Sequence, residues 1–529
     1  MRRFAKPLLF LLLSILSYLE FPGNAWLQQD TQIYTPILEH QWDSSVLASD
    51  ILVRHPHVAF TIYDETALAL RWVTHLDFHT VLTGLTILLR ALGLWGVFLI
   101  ATSLGLNAQS AAVVTLLWSL GATIIGPAVL TVEYEPVPRG FAVPLIMLAV
   151  GFAAHGRWTE SGIAASVAFL FHPPSTYPYW LLAVFAGRKR VWPSLALAFA
   201  ILLTAAHFQP GIHESQQFFE RLTPDLERLQ RMRASYNWIS MWWGDYLLQY
   251  LFLFSVTMLA VNRVRLQLSR DLHLFAIGLP IIGMLSIPFS WLVLDYGKWS
   301  LMPQVQPMRA LLFVTGFAVI FCAIAGCVAA QRRRFLEAFA WFLPPWLIPM
   351  RGRLFAIPPT PQIIACLALA LLSAAVLCWP KYKASVLLLA CYWILPGYAA
   401  VRNIPALHTA EITQLSQWAR QSTPKDAVFF FPDNGKENYP GIFRSEALRT
   451  VYVDWKGGGQ INFLKVFATE WWPRWQAANV PPFDPAAPGD PVARYRNLGI
   501  RYLAVSPRHA LPGRNPVYQN SKYLVYSLQ

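Results

Sequence analysis

The chain has 529 residues, of which 55% are hydrophobic and 13% charged, about half the ~25% charge of an ordinary soluble domain. So apolar a chain cannot hide its side chains inside a water-soluble globule, and the same composition excludes disorder and collagen-like repeats. The 42 Lys and Arg exceed the 28 Asp and Glu by a formal charge of +14. The basic residues cluster in short loops between apolar runs, the bias of a polytopic membrane protein, and no basic patch with interleaved aromatics points to nucleic acid.

In chain order, MRRFAK is a positive n-region, and Pro7 to about Leu19 is a first span. Gly23-Asn24-Ala25 faintly resembles a cleavage site, but the many spans that follow favour an uncleaved anchor. Further apolar runs lie near residues 80–104, 109–130, 140–155, 160–174, 176–187, 191–207, 246–262, 272–294, 307–330, 335–350, 356–380 and 384–401. Together they predict about thirteen transmembrane helices. The clusters Arg188-Lys189-Arg190, Arg263/Arg265/Arg270, Arg332-Arg333-Arg334 and Lys381/Lys383 are separated by pairs of spans. All four then fall on the same side as Met1, inside, and an odd count puts the C-terminus outside. Arg351 and Arg353 break this pattern.

Three hydrophilic stretches face outward in this scheme. The first is the long, acidic and aromatic loop 22–79. The second is 208–245, where Phe218, Leu222, Leu226 and Leu229 share one helical face, the pattern of an amphipathic helix on the membrane surface. The third, 402–529, shifts in composition towards a soluble α/β domain. Its predicted helices are 408–421 and 462–478, and its predicted strands 428–431, 450–455, 502–505 and 523–528. At ~125 residues it is large enough for its own core. Cys322, Cys327, Cys366, Cys378 and Cys391 lie within apolar runs without ligand spacing and read as small buried hydrophobes.

The residues able to carry chemistry stand at the outer ends of spans. Asp30 follows the first apolar run closely; a carboxylate there can act as a general base or hold a divalent cation against phosphate. Its plain alternative is loop solvation, which is also the first reading for Asp43, Asp50 and Asp64. Glu133, Glu135 and Arg139 occupy seven positions between two spans, and charges so close to hydrocarbon are costly unless paired or used. They form either a structural Glu–Arg pair or acids that meet Asp30 while Arg139 binds an anion. His172, before Pro173 and Pro174, is a phosphate or metal contact or simply a helix-ending turn. Arg309 begins a span at its outer end, suited to phosphate binding or to snorkelling. Arg90, in mid-span, must face the bundle interior or a partner acid. Trp238, Trp242 and Trp243 serve as an interface belt or, as an alternative, stack on a sugar ring. No P-loop, nucleophile elbow, HExxH or GxGxxG motif in a βαβ setting is present, so the chain carries no ATP-driven motor.

An acid just after the first span, a long first outer loop, acids in the next, about a dozen spans and an outward α/β domain form a known plan. On Asp30 in QQDTQIY, Glu133/Glu135/Arg139 in VEYEPVPRG and His172-Pro173 in FLFHPP, the chain resembles the GT-C superfamily of integral-membrane glycosyltransferases. That superfamily includes protein mannosyltransferases and aminoarabinose transferases. ALRTVYVDWKGGGQINF and WWPRWQ are similar to the terminal domain of bacterial membrane proteins of this type. The resemblance implies a transmembrane GT-C-like domain, 1–401, a periplasmic α/β domain, 402–529, and residence in a bacterial inner membrane. It implies transfer, with inversion, of a sugar from a polyprenyl-phosphate carrier to an unidentified glycan, lipid or protein acceptor. Asp30 would be the base, Glu133 or Glu135 the acids of the second outer loop, and Arg139 or Arg309 the phosphate ligands. His172 and Trp242 would line the substrate cleft, and any divalent cation, Mg or Mn, would sit on Asp30 and Glu133. Two other readings stand beside it: a secondary transporter or flippase, and a non-catalytic scaffold whose outer domain binds partners.

Overall fold

The computed structural model describes residues 5–56, 61–124, 126, 129–209, 219–242, 244–379, 385–402, 407–488 and 490–528; Phe218, Trp243, Lys381 and Lys383 lie outside them. Among the described residues six helices are long and apolar enough to cross a membrane: Phe78–Ser103, Lys189–Phe208, Gly244–Arg263, Arg270–Tyr296, Met302–Gln331 and Thr360–Cys378. Shorter apolar helices cover Pro7–Leu19, Ala108–Ser119, Pro138–Ala154, Phe335–Met350 and Val386–Tyr398. The chain is a multi-pass helical membrane protein.

Three expected spans differ in the structure. The run 109–130 is helical only over Ala108–Ser119, because Gly121 turns left-handed at φ +66° and ends the helix. The chain then folds into a hairpin in which Thr123 pairs with Leu130. The runs 160–174 and 176–187 are the helices Trp158–Phe171 and Pro173–Phe185, 14 and 13 residues long. At ~1.5 Å per residue each spans about 20 Å, short of the ~30 Å hydrocarbon layer.

Helix Leu311–Gln331 is the axis of the bundle, with every side chain from Leu311 to Ala330 buried. Helix Phe78–Ser103 packs along Pro138–Ala154. A Cβ on Gly96 would run into the backbone of Met147 and Leu148, so glycine there permits the close approach. Ion pairs gather the basic clusters. Arg188 pairs with Asp271, while Arg263 and Arg334 reach Glu337 at 2.5 and 3.3 Å. Three of the four clusters thus meet at one end of the bundle. The exceptional Arg353 lies at the other end, donating to Tyr246 Oη at 3.3 Å beside the start of helix Gly244–Arg263.

In the C-terminal region, helices Ala410–Ser422, Tyr439–Ala447 and Lys465–Asn479 accompany a five-stranded sheet. Its order is Thr450–Val451, Val428–Phe430, Tyr502–Val505, Leu524–Ser527, Tyr518–Gln519, the first three parallel and the rest antiparallel. The strand expected over 450–455 pairs only at Thr450 and Val451; beyond them Asp454 turns to an arginine instead of the sheet. Both faces are covered partly by the hydrophilic stretches 22–79 and 208–245. Leu27 joins Ile412, Phe429 and Phe443 on one face, while Ile33, Leu52, Leu226 and Trp238 join Phe430, Trp471 and Leu503 on the other. The amphipathic helix of the hydrophilic stretch 208–245 is Pro224–Arg233. Its Leu226 and Leu229 are buried against this region, not laid on a membrane surface.

Candidate functional site

The site is built on the turn that leads into helix Thr31–Trp42 and is held from a distance. The first turn of the helix closes locally, with Gln32 N donating to the Gln29 carbonyl at 3.2 Å and Ile33 N to the Asp30 carbonyl at 2.8 Å. Asp30, in the N-cap position, makes no side-chain cap bond. Glu135, 1% exposed, binds the residues that run into the helix. Its Oε1 accepts from Gln28 N (3.1 Å), Gln29 N (2.6 Å) and Thr31 Oγ1 (2.8 Å), and its Oε2 accepts from Asp30 N (2.7 Å). An anion suits that helix end. Glu135 therefore fixes the loop and leaves the Asp30 carboxylate free for other partners.

Those partners are two cations from distant parts of the chain. Arg139 Nη1 donates to Asp30 Oδ2 at 2.7 Å, and Lys456 Nζ donates to Oδ1 at 2.7 Å. Arg139 also donates through Nε to Glu133 Oε2 at 2.5 Å. It stands in the first turn of helix Pro138–Ala154, a poor place for a cation by itself, where the two carboxylates offset the cost. The hairpin comes this close because residue 140 is glycine: a Cβ there would meet Glu133 Cβ at 3.0 Å.

Burial pushes Asp30 upward, but Lys456 and Arg139 outweigh it and hold its carboxyl well below the usual range. Glu135 is shifted the other way, raised first by burial and then by the Asp30 charge, against the pull of Lys456 and its own hydrogen bonds. Tyr34, one turn beyond Asp30, has its phenol raised by burial and by the Asp30 carboxylate. Glu133 Oε1 is buried without a hydrogen-bond partner among the described residues. It borders a small cavity also lined by Arg139, Ser175 and Arg309. Arg309 bonds Gln306 through Nε and pairs with no carboxylate among the described residues. His172 Nδ1 contacts Oγ of the cavity-lining Ser175 at 2.8 Å. Trp242 donates to the Tyr236 carbonyl at 2.9 Å, and no hydrogen bond links it to the Asp30 cluster among the described residues. Trp238 is fully buried under Arg231, whose guanidinium lies 3.9 Å from its ring centre. It is neither an interface belt nor a sugar platform. Arg90 faces inward as expected, but its Nη2 finds the Glu133 carbonyl at 2.5 Å, not a carboxylate.

Sequence reasoning missed Lys456, Arg233 and the support beneath them. Lys456 follows the strand Thr450–Val451 on a turn continued by Gly457-Gly458-Gly459. A lone cation before three glycines at a strand end was the available signal. Arg233 holds this turn from the end of helix Pro224–Arg233, donating to the Trp455 carbonyl at 2.8 Å and the Lys456 carbonyl at 3.2 Å. Below it, Arg444 bridges Asp50 (2.7 Å) and Asp454 (2.5 Å) with all three side chains buried. Asp50, first read as a loop acid, therefore ties the first outer loop to the Lys456 turn.

A divalent cation does not fit this arrangement. No three His, Cys, Asp or Glu side chains converge on a metal position among the described residues, and Arg139 occupies the space between Asp30 and Glu133.

Residues 410–478, which contain the Lys456 turn, match a family described as a domain of unknown function, DUF6798. No curated protein matches the chain. Among solved structures it is similar to ArnT from Cupriavidus metallidurans in the apo state, at 13% identity and TM-score 0.46, covering 98% of this chain and 97% of that one. It is also similar to the Archaeoglobus fulgidus oligosaccharyltransferase in the apo form, at 11% identity and TM-score 0.43, covering 95% of this chain and 69% of that one.

Proposed function

We propose that this protein is a GT-C-type membrane glycosyltransferase. It takes a sugar from a polyprenyl-phosphate carrier to an acceptor at the outer face of a bacterial inner membrane, with the C-terminal α/β region outside. The observation that carries this reading is the junction of Asp30, Glu133, Arg139 and Lys456 beside the uncompensated Arg309. Glycosyl transfer needs a base, stabilisation of a leaving phosphate and a partly dry cleft, and this cluster contains residues for all three.

In the proposed step the acceptor hydroxyl oxygen attacks the anomeric carbon. The bond from that carbon to the phosphate oxygen breaks, and its electron pair leaves on the carrier phosphate. Asp30 receives the hydroxyl proton, and a single displacement inverts the anomeric centre. Arg309 and Arg139 offset the charge gathering on the phosphate. Glu133 and Glu135 act one step back: Glu133 orients Arg139, and Glu135 holds the Asp30 loop. A carboxylate with both oxygens held by cations is a weak base, so the reading requires the incoming phosphate to draw a cation away from Asp30. No step runs through a metal ion.

The test is turnover of a polyprenyl-phosphate sugar by reconstituted protein carrying Asp30→Asn. The expected loss is about 10²–10⁴-fold, the contribution of a positioned general base, measured below the melting temperature, which the loss of the two ion pairs to Asp30 is expected to lower. Undiminished turnover would remove Asp30 from the mechanism.

A further inference from the structure

Away from the Asp30 cluster, helix Tyr63–Thr74 lies beside the end of helix Trp192–Phe208. Between them runs an open groove of about 730 Å³, with Ile62, Leu70 and Val73 on one wall and Ala200, Ile201 and Thr204 on the other. It continues into a second cavity of about 520 Å³, the two sharing Glu65 and Ala205. The first is almost wholly apolar; the second is lined by His40, Gln41, Asp64, Glu65 and Gln209 among others.

The polar groups of the second cavity are mostly acceptors. Gln41 Oε1 and Gln209 Oε1 are buried with no hydrogen-bond partner among the described residues. His40 Nδ1 lies 2.7 Å from the Val46 carbonyl, which can only accept, so Nδ1 carries a proton. Glu65 adds a carboxylate and Asp64 a carboxyl group, and no Lys or Arg lines either cavity among the described residues. A phosphate head would meet like charge and unmatched acceptors. A head rich in hydroxyl donors would satisfy them. The Tyr34 and Tyr63 rings, 5.2 Å apart, stand where the Asp30 helix meets the helix that carries Asp64.

We propose that this groove binds an amphiphile with a hydrocarbon tail and a hydroxyl-rich, phosphate-free head, of the glycolipid or alkyl-glycoside class. The tail lies between helices Tyr63–Thr74 and Trp192–Phe208, and the head lies against Gln41, Gln209 and Asp64. This site does not depend on glycosyl transfer at Asp30, and its test reads binding alone.

Full-length protein in phosphatidylcholine nanodiscs is photolabelled with a diazirine-bearing octyl glucoside and, in parallel, with the matching octyl phosphate. Labelled peptides are mapped by mass spectrometry. The glucoside is expected to label residues 62–73 and 200–205, and unlabelled octyl glucoside is expected to compete where octyl phosphate does not. Ala205→Trp, at the junction, should abolish that labelling. Gln41→Leu with Gln209→Leu should weaken competition by about tenfold, the loss of one or two hydrogen bonds to the head. Equal labelling by both probes, or labelling that does not saturate in the unmodified protein, would overturn the proposal by showing bulk lipid contact only. The competition arm needs no variant, so a folding defect in either substitution leaves the outcome decisive.

Discussion

The Asp30 carboxylate accepts one hydrogen bond from a guanidinium and one from an ammonium, and this sets its protonation more than its burial does. Because its folded-state pKa is depressed, its contribution to stability is present above the unfolded value near 4 and lost as pH falls. Replacing Lys456 by Met removes one cation and moves Asp30 back towards its ordinary range. The acid limb of a pH–rate profile is therefore expected at higher pH in Lys456→Met; coincident limbs would show that the ammonium does not govern Asp30. Glu135 gives a contrasting prediction. Its four accepted hydrogen bonds need a carboxylate, and Gln would turn an N–H group towards an N–H group. Glu135→Gln is expected to cost about 1–3 kcal/mol, the penalty for an unmatched buried polar group, read as a fall in thermal stability.

Whole elements are held by a few buried charges. Arg444 joins the first outer loop to the Lys456 turn through Asp50 and Asp454. Arg444→Leu leaves two buried carboxylates uncompensated and is expected to destabilise by about 3–5 kcal/mol, measured by denaturation in detergent. Asp64, in the first turn of helix Tyr63–Thr74, behaves in the opposite sense to Asp30. Burial and the neighbouring Glu65 push it up to about 7 against a hydrogen bond from Gln41. A raised carboxyl favours the fold while protonated, and that advantage is lost as pH rises through 7. Asp64→Asn is therefore expected to raise the melting temperature by a few degrees at pH 8 and to leave it unchanged at pH 4. Equal effects at both values would rule out titration as the cause.

Across the whole molecule, one end of the bundle carries the Arg188, Arg263 and Arg334 ion pairs and the other carries the Arg353 loop. If the ion-paired end is cytoplasmic, a cysteine placed at Leu266 is shielded from an impermeant maleimide in intact cells and one placed at Ile357 is labelled. Both positions are 93% exposed, and the five native cysteines are buried, so neither access nor background confuses the result. Labelling at both sites, or at Leu266 alone, would overturn the threading.

The sequence by itself determined what depends on solvent transfer and local chain chemistry. A chain so rich in apolar runs must place them in lipid, and the runs 80–104, 246–262 and 356–380 read directly as helices because hydropathy averages over many residues. The strands at 428–431 and 502–505 were legible for the same reason: short β-branched and aromatic runs between turn residues. The limits of the run 109–130 were less visible, since a left-handed glycine ends a helix without changing mean hydropathy. Asp30, Glu133 and Arg139 stood out as costly charges at span ends, but the division of labour among them was decided only in three dimensions. Glu135 holds the turn before a helix that begins more than a hundred positions earlier, and Lys456 reaches Asp30 across 426 positions of chain. Such contacts leave no local pattern, because the free energy that pairs buried charges depends on distance through space and on dielectric, not on separation along the backbone.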